Sequence, residues 1–104
     1  MDLAELTYEA AKALEGTTFV VELPDGTDMR VQLEEVLPYE TRARRRRGPP
    51  PKRNPFSLYF VGPVSPVLPQ AMYTLRSERV TFDKIFIVPV GQNDEGTDYE
   101  AVFN

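Results

Sequence analysis

Short apolar runs of period two, each cut off by glycine or proline, constrain this chain more than any other feature. Phe19, Val21 and Leu23 alternate with Val20 and Glu22, and Met29, Val31 and Leu33 alternate with Arg30, Gln32 and Glu34. Successive side chains of an extended backbone point to opposite faces, so such runs read as half-buried strands. Between them lies Pro24-Asp25-Gly26, a turn in which proline presets φ and glycine accepts a positive φ. A hairpin over residues 17–23 and 28–37 follows. Its phase breaks near Glu35-Val36-Leu37, where two acids precede two apolar residues. A bulge or a bend accounts for that break.

The same pattern returns later in the chain. Phe56, Leu58 and Phe60 face one way in a third strand, and Tyr73 and Leu75 point inward from a fourth over 71–75. Residues 82–90 contain Ile85-Phe86-Ile87-Val88, an apolar run that predicts a central strand covered on both faces. Residues 91–97 read as a loop, and Tyr99, Ala101 and Phe103 alternate with Glu100 and Val102 in a last strand. At the N-terminus, residues 2–15 predict a short helix that starts at Asp2 (with Glu5) or at Thr7. Leu3, Leu6, Ala10, Ala13 and Leu14 form its apolar face, and Gly16 ends it. Six strands with mostly short links imply a mainly β fold. It is an antiparallel meander, closed as a small barrel or stacked as a two-layer sandwich, with the helix plugging an open end. Phe19, Phe56, Phe60, Phe82, Phe86 and Phe103 are expected to supply much of the core. At 104 residues the chain fits one domain, residues 1–104.

Charge is distributed unevenly. Residues 42–53, RARRRRGPPPKR, hold Arg42, Arg44, Arg45, Arg46, Arg47, Lys52 and Arg53, seven cations without an anion. The remaining 92 residues carry five cations and sixteen anions, a net charge of −11. An acidic body thus bears a basic, Pro-rich arm, residues 39–55, inserted between the second and third strands. Pro49-Pro50-Pro51 favours polyproline II, and the arginine run repels itself into an extended form. Such segregation suits docking onto acidic surfaces of the same or a neighbouring subunit, or binding a polyanion. Five arginines within six residues suit phosphate contacts, but the body repels phosphate and no aromatic residue for base stacking precedes Phe56. Docking on protein subunits is therefore the first expectation and nucleic acid the second.

Catalytic chemistry finds little here. The chain has no cysteine and no histidine, which removes thiol nucleophiles, disulfides, the usual general base and the commonest transition-metal ligands. Ser57, Ser65 and Ser77 have no histidine to activate them and no Ser-x-x-Lys pattern. Asp94, Glu95 and Asp98 lack the calcium-loop signature. Glu34 and Glu35, as strand neighbours, are expected on opposite faces. Pro63-x-x-Pro66-x-x-Pro69 has the period of a polyproline helix, yet such a segment more often stiffens a connection. No catalytic residue, cofactor or metal is expected. With no run of 18 apolar residues, no membrane-spanning helix is expected. With no secretory signal pattern, the cytoplasm or an assembled particle is the expected location.

The second half carries a resemblance. FSLYFVGPVSPVLPQAMYTLRSE, then IFIVPVG and YEAVFN, resemble a family of small bacterial domains of unknown function. LTYEAAKALEGTTFVVEL resembles that family's helix, its closing glycine and the strand after it. The most specific stretches are Ile87-Val88-Pro89-Val90-Gly91 and Tyr99-Glu100-Ala101-Val102-Phe103-Asn104. The family has no assigned catalytic residues. Its genes tend to sit beside phage-tail-collar-like genes, so the resemblance implies a structural or accessory role in a tail-like or surface assembly. The basic arm departs from the family's pattern. Together these readings give a non-enzymatic, oligomeric assembly subunit whose arm, Arg42, Arg44, Arg45, Arg46, Arg47, Lys52 and Arg53, contacts acidic surfaces of neighbours. The proline loop, 62–70, is the other segment expected to meet a partner.

Overall fold

The alternating runs form strands, and the strands close on themselves. A computed structural model describes residues 6–38 and 56–103, and the basic arm with all seven of its cations lies outside the described residues. The elements are α1 (Tyr8–Lys12), β1 (Thr18–Glu22), β2 (Asp28–Pro38), β3 (Phe56–Gly62), β4 (Ala71–Arg76), β5 (Thr81–Asn93) and β6 (Gly96–Phe103). They make a closed antiparallel barrel in the order β1-β2-β3-β6-β5-β4. Each half, β1-β2-β3 and β4-β5-β6, is a meander. The halves join where β3 pairs β6, from Phe56↔Phe103 to Gly62↔Thr97, and where β1 pairs β4 at Val20↔Arg76 and Val21↔Leu75.

The predicted hairpin is present, with Gly26 at φ +89° in its turn and Asp25 accepting from the Thr27 amide and hydroxyl. The phase break is a bulge: Leu33 pairs Phe60 and Glu35 pairs Tyr59, so Glu34 is the extra residue. One inserted residue shifts the parity, and Leu33 and Val36 both turn inward. Consequently Glu34 and Glu35 are both exposed and line one groove, contrary to the alternation expected of strand neighbours.

A second bulge corrects a second expectation. Tyr73 pairs Ile85 and Leu75 pairs Phe82, leaving Asp83 and Lys84 opposite Thr74. Lys84 takes φ +57° there. The extra residue flips the downstream parity, so Phe82 is buried while Phe86, four residues on, is 49% exposed. Phe86 is therefore not core, and the run Ile85–Val88 is covered on one face only. The expected loop over 91–97 is also tighter than expected. Gly91, Gln92 and Asn93 pair with Asp98, Thr97 and Gly96, leaving a two-residue turn.

Inside, the remaining aromatic rings run as a chain. Phe60 meets Phe19 edge-on at 5.8 Å, Phe19 stacks on Phe82 at 5.1 Å, and Phe56 stacks on Phe103 at 5.3 Å. Phe82 and Phe103, 6.4 Å apart, connect the two groups. Such pairs contribute about 0.5–1.5 kcal/mol each beyond their burial.

Both barrel ends are plugged. The helix starts at Thr7, whose hydroxyl accepts from the Ala10 amide at 3.1 Å. Leu6 and Ala11 take the places of a hydrophobic staple. With Leu14 they form the buried face, while Ala13 is exposed and Ala10 only partly covered. The helix is one turn long, and the alternative start at Asp2 and the apolar position Leu3 lie outside the described residues. Tyr8 meets Phe56 edge-on, and Glu15 accepts from the Val36 amide at 2.8 Å. At the other end, residues 63–70 fold inward through Leu68. Its amide donates to the Tyr99 hydroxyl at 2.9 Å, and Tyr73 donates to the Pro69 carbonyl at 2.6 Å.

Candidate functional site

Among the described residues the barrel interior is closely packed. The void bounded by Val21, Val31, Phe60, Leu68, Leu75, Ile87 and Tyr99 measures about 10 Å³, at the limit for one water. Burial, with Tyr99 as a lesser cause, pushes the phenol pKa of Tyr73 up. Among the described residues no group of three Asp or Glu is placed to hold a metal ion. Asp94 and Glu95 stand in the β5–β6 turn, where Asn93 accepts from the Glu95 and Gly96 amides. Ser57 is buried in β3, and the Ser77 hydroxyl closes a turn by donating to the Val80 carbonyl at 2.8 Å.

The outer surface is more informative, and its two opposite walls differ. Centred on β1, a shallow groove of about 760 Å³ is lined by Thr17, Thr18, Val20, Arg30, Arg76 and Arg79 with Asp28, Ser77 and Glu78. Arg76 is ion-paired with Glu22 across the β1–β4 seam, and Arg79 donates to the Ala13 carbonyl at 3.1 Å. Two of its three guanidinium groups are thus engaged within the fold, with Asp28 and Glu78 alongside.

The opposite wall is centred on β6, three places round the barrel from β1. The register lays its outward side chains in rows. Leu37 pairs Ser57, Ser57 pairs Val102, and Phe86 pairs Met72. Val88↔Glu100, continued by two residues, brings Phe86 beside Val102. Leu37, Val102, Phe86 and Met72 are 41%, 43%, 49% and 57% exposed, but Ser57, between Leu37 and Val102, is buried, so the exposed apolar positions on this face are interrupted at β3. Two residues further along the strands runs a second row, Glu35, Tyr59, Glu100 and Val88. Tyr59 donates to the Glu100 carboxylate at 2.8 Å. Beside it a groove of about 240 Å³ is lined by Glu34, Glu35, Tyr59, Phe60, Val61, Val90 and Asp98. Four carboxylates, Glu34, Glu35, Asp98 and Glu100, thus stand on this wall, and among the described residues no lysine or arginine lines the groove.

A family model described as "Domain of unknown function (DUF6916)" matches residues 6–103. The chain belongs to this family. No curated protein and no solved structure matches it. The DUF6916 match spans the whole barrel, from Leu6 in the staple to Phe103 in the ring stack, and so agrees with the resemblance read from the strand and terminal motifs. In this DUF6916 chain none of the described residues belongs to the basic arm, so the arm's partner set stands on sequence alone. The acidic and apolar rows were not visible in the sequence, because their members come from five strands, some far apart in the chain. The signal available was the outward apolar residues themselves, Phe86 and Val102, once a bulge is placed before the first of them.

Proposed function

We propose that this domain is a non-enzymatic structural subunit of an assembly, of a phage-tail-like or surface-filament kind. Arg42, Arg44, Arg45, Arg46, Arg47, Lys52 and Arg53 contact acidic surfaces of neighbouring subunits. The observation that carries the reading is charge segregation. The described residues hold thirteen Asp or Glu against five Lys or Arg, while residues 42–53 hold seven cations and no anion. Arginine forks bind carboxylates in pairs of charge-assisted hydrogen bonds, and attraction between such patches is screened by salt. The tail-like setting rests on the family resemblance alone, which is association rather than physics.

Light scattering after size exclusion, across an ionic-strength series, tests this. Oligomers are expected at low salt and their loss at high salt; a monomer throughout overturns the reading. A second reading, a polyanion-binding accessory protein, is favoured by the five arginines within residues 42–47. Nucleic-acid affinity that falls steeply with salt, and disappears when Arg44 to Arg47 become serine, would select it.

A further inference from the structure

We infer that residues 61–75 and 85–93 build a face on which two copies of this chain pair about a two-fold axis. This goes beyond the assembly reading above and does not rest on the basic segment.

The sequence marks the face by what it lacks. Residues 61–75 and 85–93 contain no Asp, Glu, Lys or Arg, in a chain that is 27% charged. The fold lays the two stretches side by side: Ala71 pairs Ile87, Met72 pairs Phe86 and Tyr73 pairs Ile85. Towards the far end of β5, the Gln92 side chain donates to the Val64 carbonyl. Exposed apolar side chains gather here. Val64, Val67, Met72, Phe86 and Val90, between 42% and 57% exposed, are five of the seven large apolar residues that stand in solvent among the described residues. Val88, outward between Phe86 and Val90, is only partly covered. Charges begin at the margins, with Asp83 and Lys84 before the β5 stretch, Asp94 and Glu95 after it, and Glu100 opposite Val88. A charge-free apolar centre inside a charged rim is the plan of a protein–protein contact.

The loop that carries Val64 and Val67 is held in place. The Val64 carbonyl also accepts from the Thr97 hydroxyl at 3.3 Å, the Leu68 amide is tied to Tyr99, and the Pro69 carbonyl to Tyr73. Pro63, Pro66 and Pro69 restrict the backbone further. The two valines are thus presented without the ordering cost of a free loop.

Charge selects the occupant. An anionic membrane or a nucleic acid needs cations to hold it, and these two stretches have none. A second copy fits, because the face meets itself without desolvating an ion. Elsewhere the described residues hold thirteen Asp or Glu against five Lys or Arg, so two bodies oppose like charges on most other approaches. The rim agrees. A two-fold axis near Val88 runs the two β5 strands antiparallel and brings Lys84 of each copy towards Asp94 and Glu95 of the other. Among the described residues Lys84 makes no ion pair. Such a contact is isologous and closes as a dimer.

The test uses the full-length chain carrying Arg44→Ser, Arg45→Ser, Arg46→Ser and Arg47→Ser, which disables contacts through the basic segment. Sedimentation equilibrium is followed over protein concentration and salt. A dimer is expected that persists at high salt and tightens in ammonium sulfate. Species larger than the dimer are what the basic segment adds to the wild type at low salt, and they are what salt removes. Met72→Glu with Val90→Glu puts carboxylates on two exposed positions of the face. That pair is expected to weaken the dimer about tenfold or more while circular dichroism stays unchanged. Leu37→Glu, exposed outside the face, is expected to leave the dimer intact. In a mixture of two isotopic forms treated with a carbodiimide, which joins amines to carboxylates, peptides linking Lys84 of one label to Asp94 or Glu95 of the other are expected. A chain that stays monomeric at every concentration overturns the inference. So does a dimer that survives the double variant, or one lost equally in Leu37→Glu. Salt-sensitive oligomers of the wild type with no dimer in the arginine variant leave the assembly reading standing and remove this one. A dimer without larger salt-sensitive species does the reverse.

Discussion

Phe82 and Phe86 stand four residues apart on one strand and differ in everything that matters for stability. In an unbroken strand their even spacing would put them on one face. The bulge at Asp83 and Lys84 adds a residue, and Phe86 comes out on the opposite face from Phe82. Phe82→Ala removes a ring stacked on Phe19, and is expected to cost about 3–5 kcal/mol in urea unfolding. Phe86→Ala is expected to change the same unfolding free energy by about 0.5 kcal/mol or less. Similar losses from the two would show that the bulge is misplaced. Lys84 itself occupies the left-handed region at φ +57°, where a β-carbon crowds the following carbonyl. Lys84→Gly relieves that strain, and a gain of about 1 kcal/mol is expected. The reverse case is Gly96. A β-carbon there would lie 2.5 Å from the Gly62 carbonyl oxygen and 3.0 Å from Val61 Cγ1. The carbonyl belongs to the paired backbone of β3 and cannot swing aside, so Gly96→Ala is expected to cost about 1–3 kcal/mol.

At the scale of elements, the helix is held by its connections rather than by its length. One turn is far below what is stable alone in water. Its Thr7 cap, its staple and the Glu15 carboxylate on the Val36 amide do the holding. That amide is the main reason the Glu15 carboxyl titrates below its ordinary value of 4.5, with the Lys12 ammonium, 3.2 Å away, a lesser one. A carboxyl depressed by folding contributes stability above its unfolded pKa, and the contribution is lost as pH falls through the folded one. The stability gap between wild type and Glu15→Gln is therefore expected to be widest above pH ~5 and to close below it. A gap that is constant with pH would deny the link. How much of this was legible follows from range. The hairpin, the cap at Thr7 and the bulge at Glu34 are local, written in a turn, a hydroxyl and a break of phase. The Lys84 bulge left no such mark, because the apolar run after it reads equally well from either face. The β3–β6 pairing joins residues some forty apart, and no local signal carries it. The arm could be read from charge alone, but the acidic row needed that pairing, which brings Glu35, Tyr59 and Glu100 together.

For the whole molecule, the consequence of two meanders is a barrel with two unequal joins. One runs the length of β3 and β6, from Phe56↔Phe103 to Gly62↔Thr97. The other is short, Val20↔Arg76 and Val21↔Leu75, and adds the Arg76–Glu22 ion pair, whose side chains are about half exposed. Exposed pairs contribute about 0–1 kcal/mol, so this one does little to lock the join. A closed barrel opens where the fewest backbone hydrogen bonds must break, and partial opening sets the exchange of the amides it frees. The β1–β4 join lies across the barrel from the wall formed by β3, β6 and β5. In native-state hydrogen exchange, the amides joining β1 to β4 are expected to be less protected than those joining β3 to β6, by about tenfold or more. The difference should persist when association is suppressed by salt, since it arises within the barrel. Equal protection on both sides would mean that the barrel opens only as one unit and that its short join is no weaker than its long one.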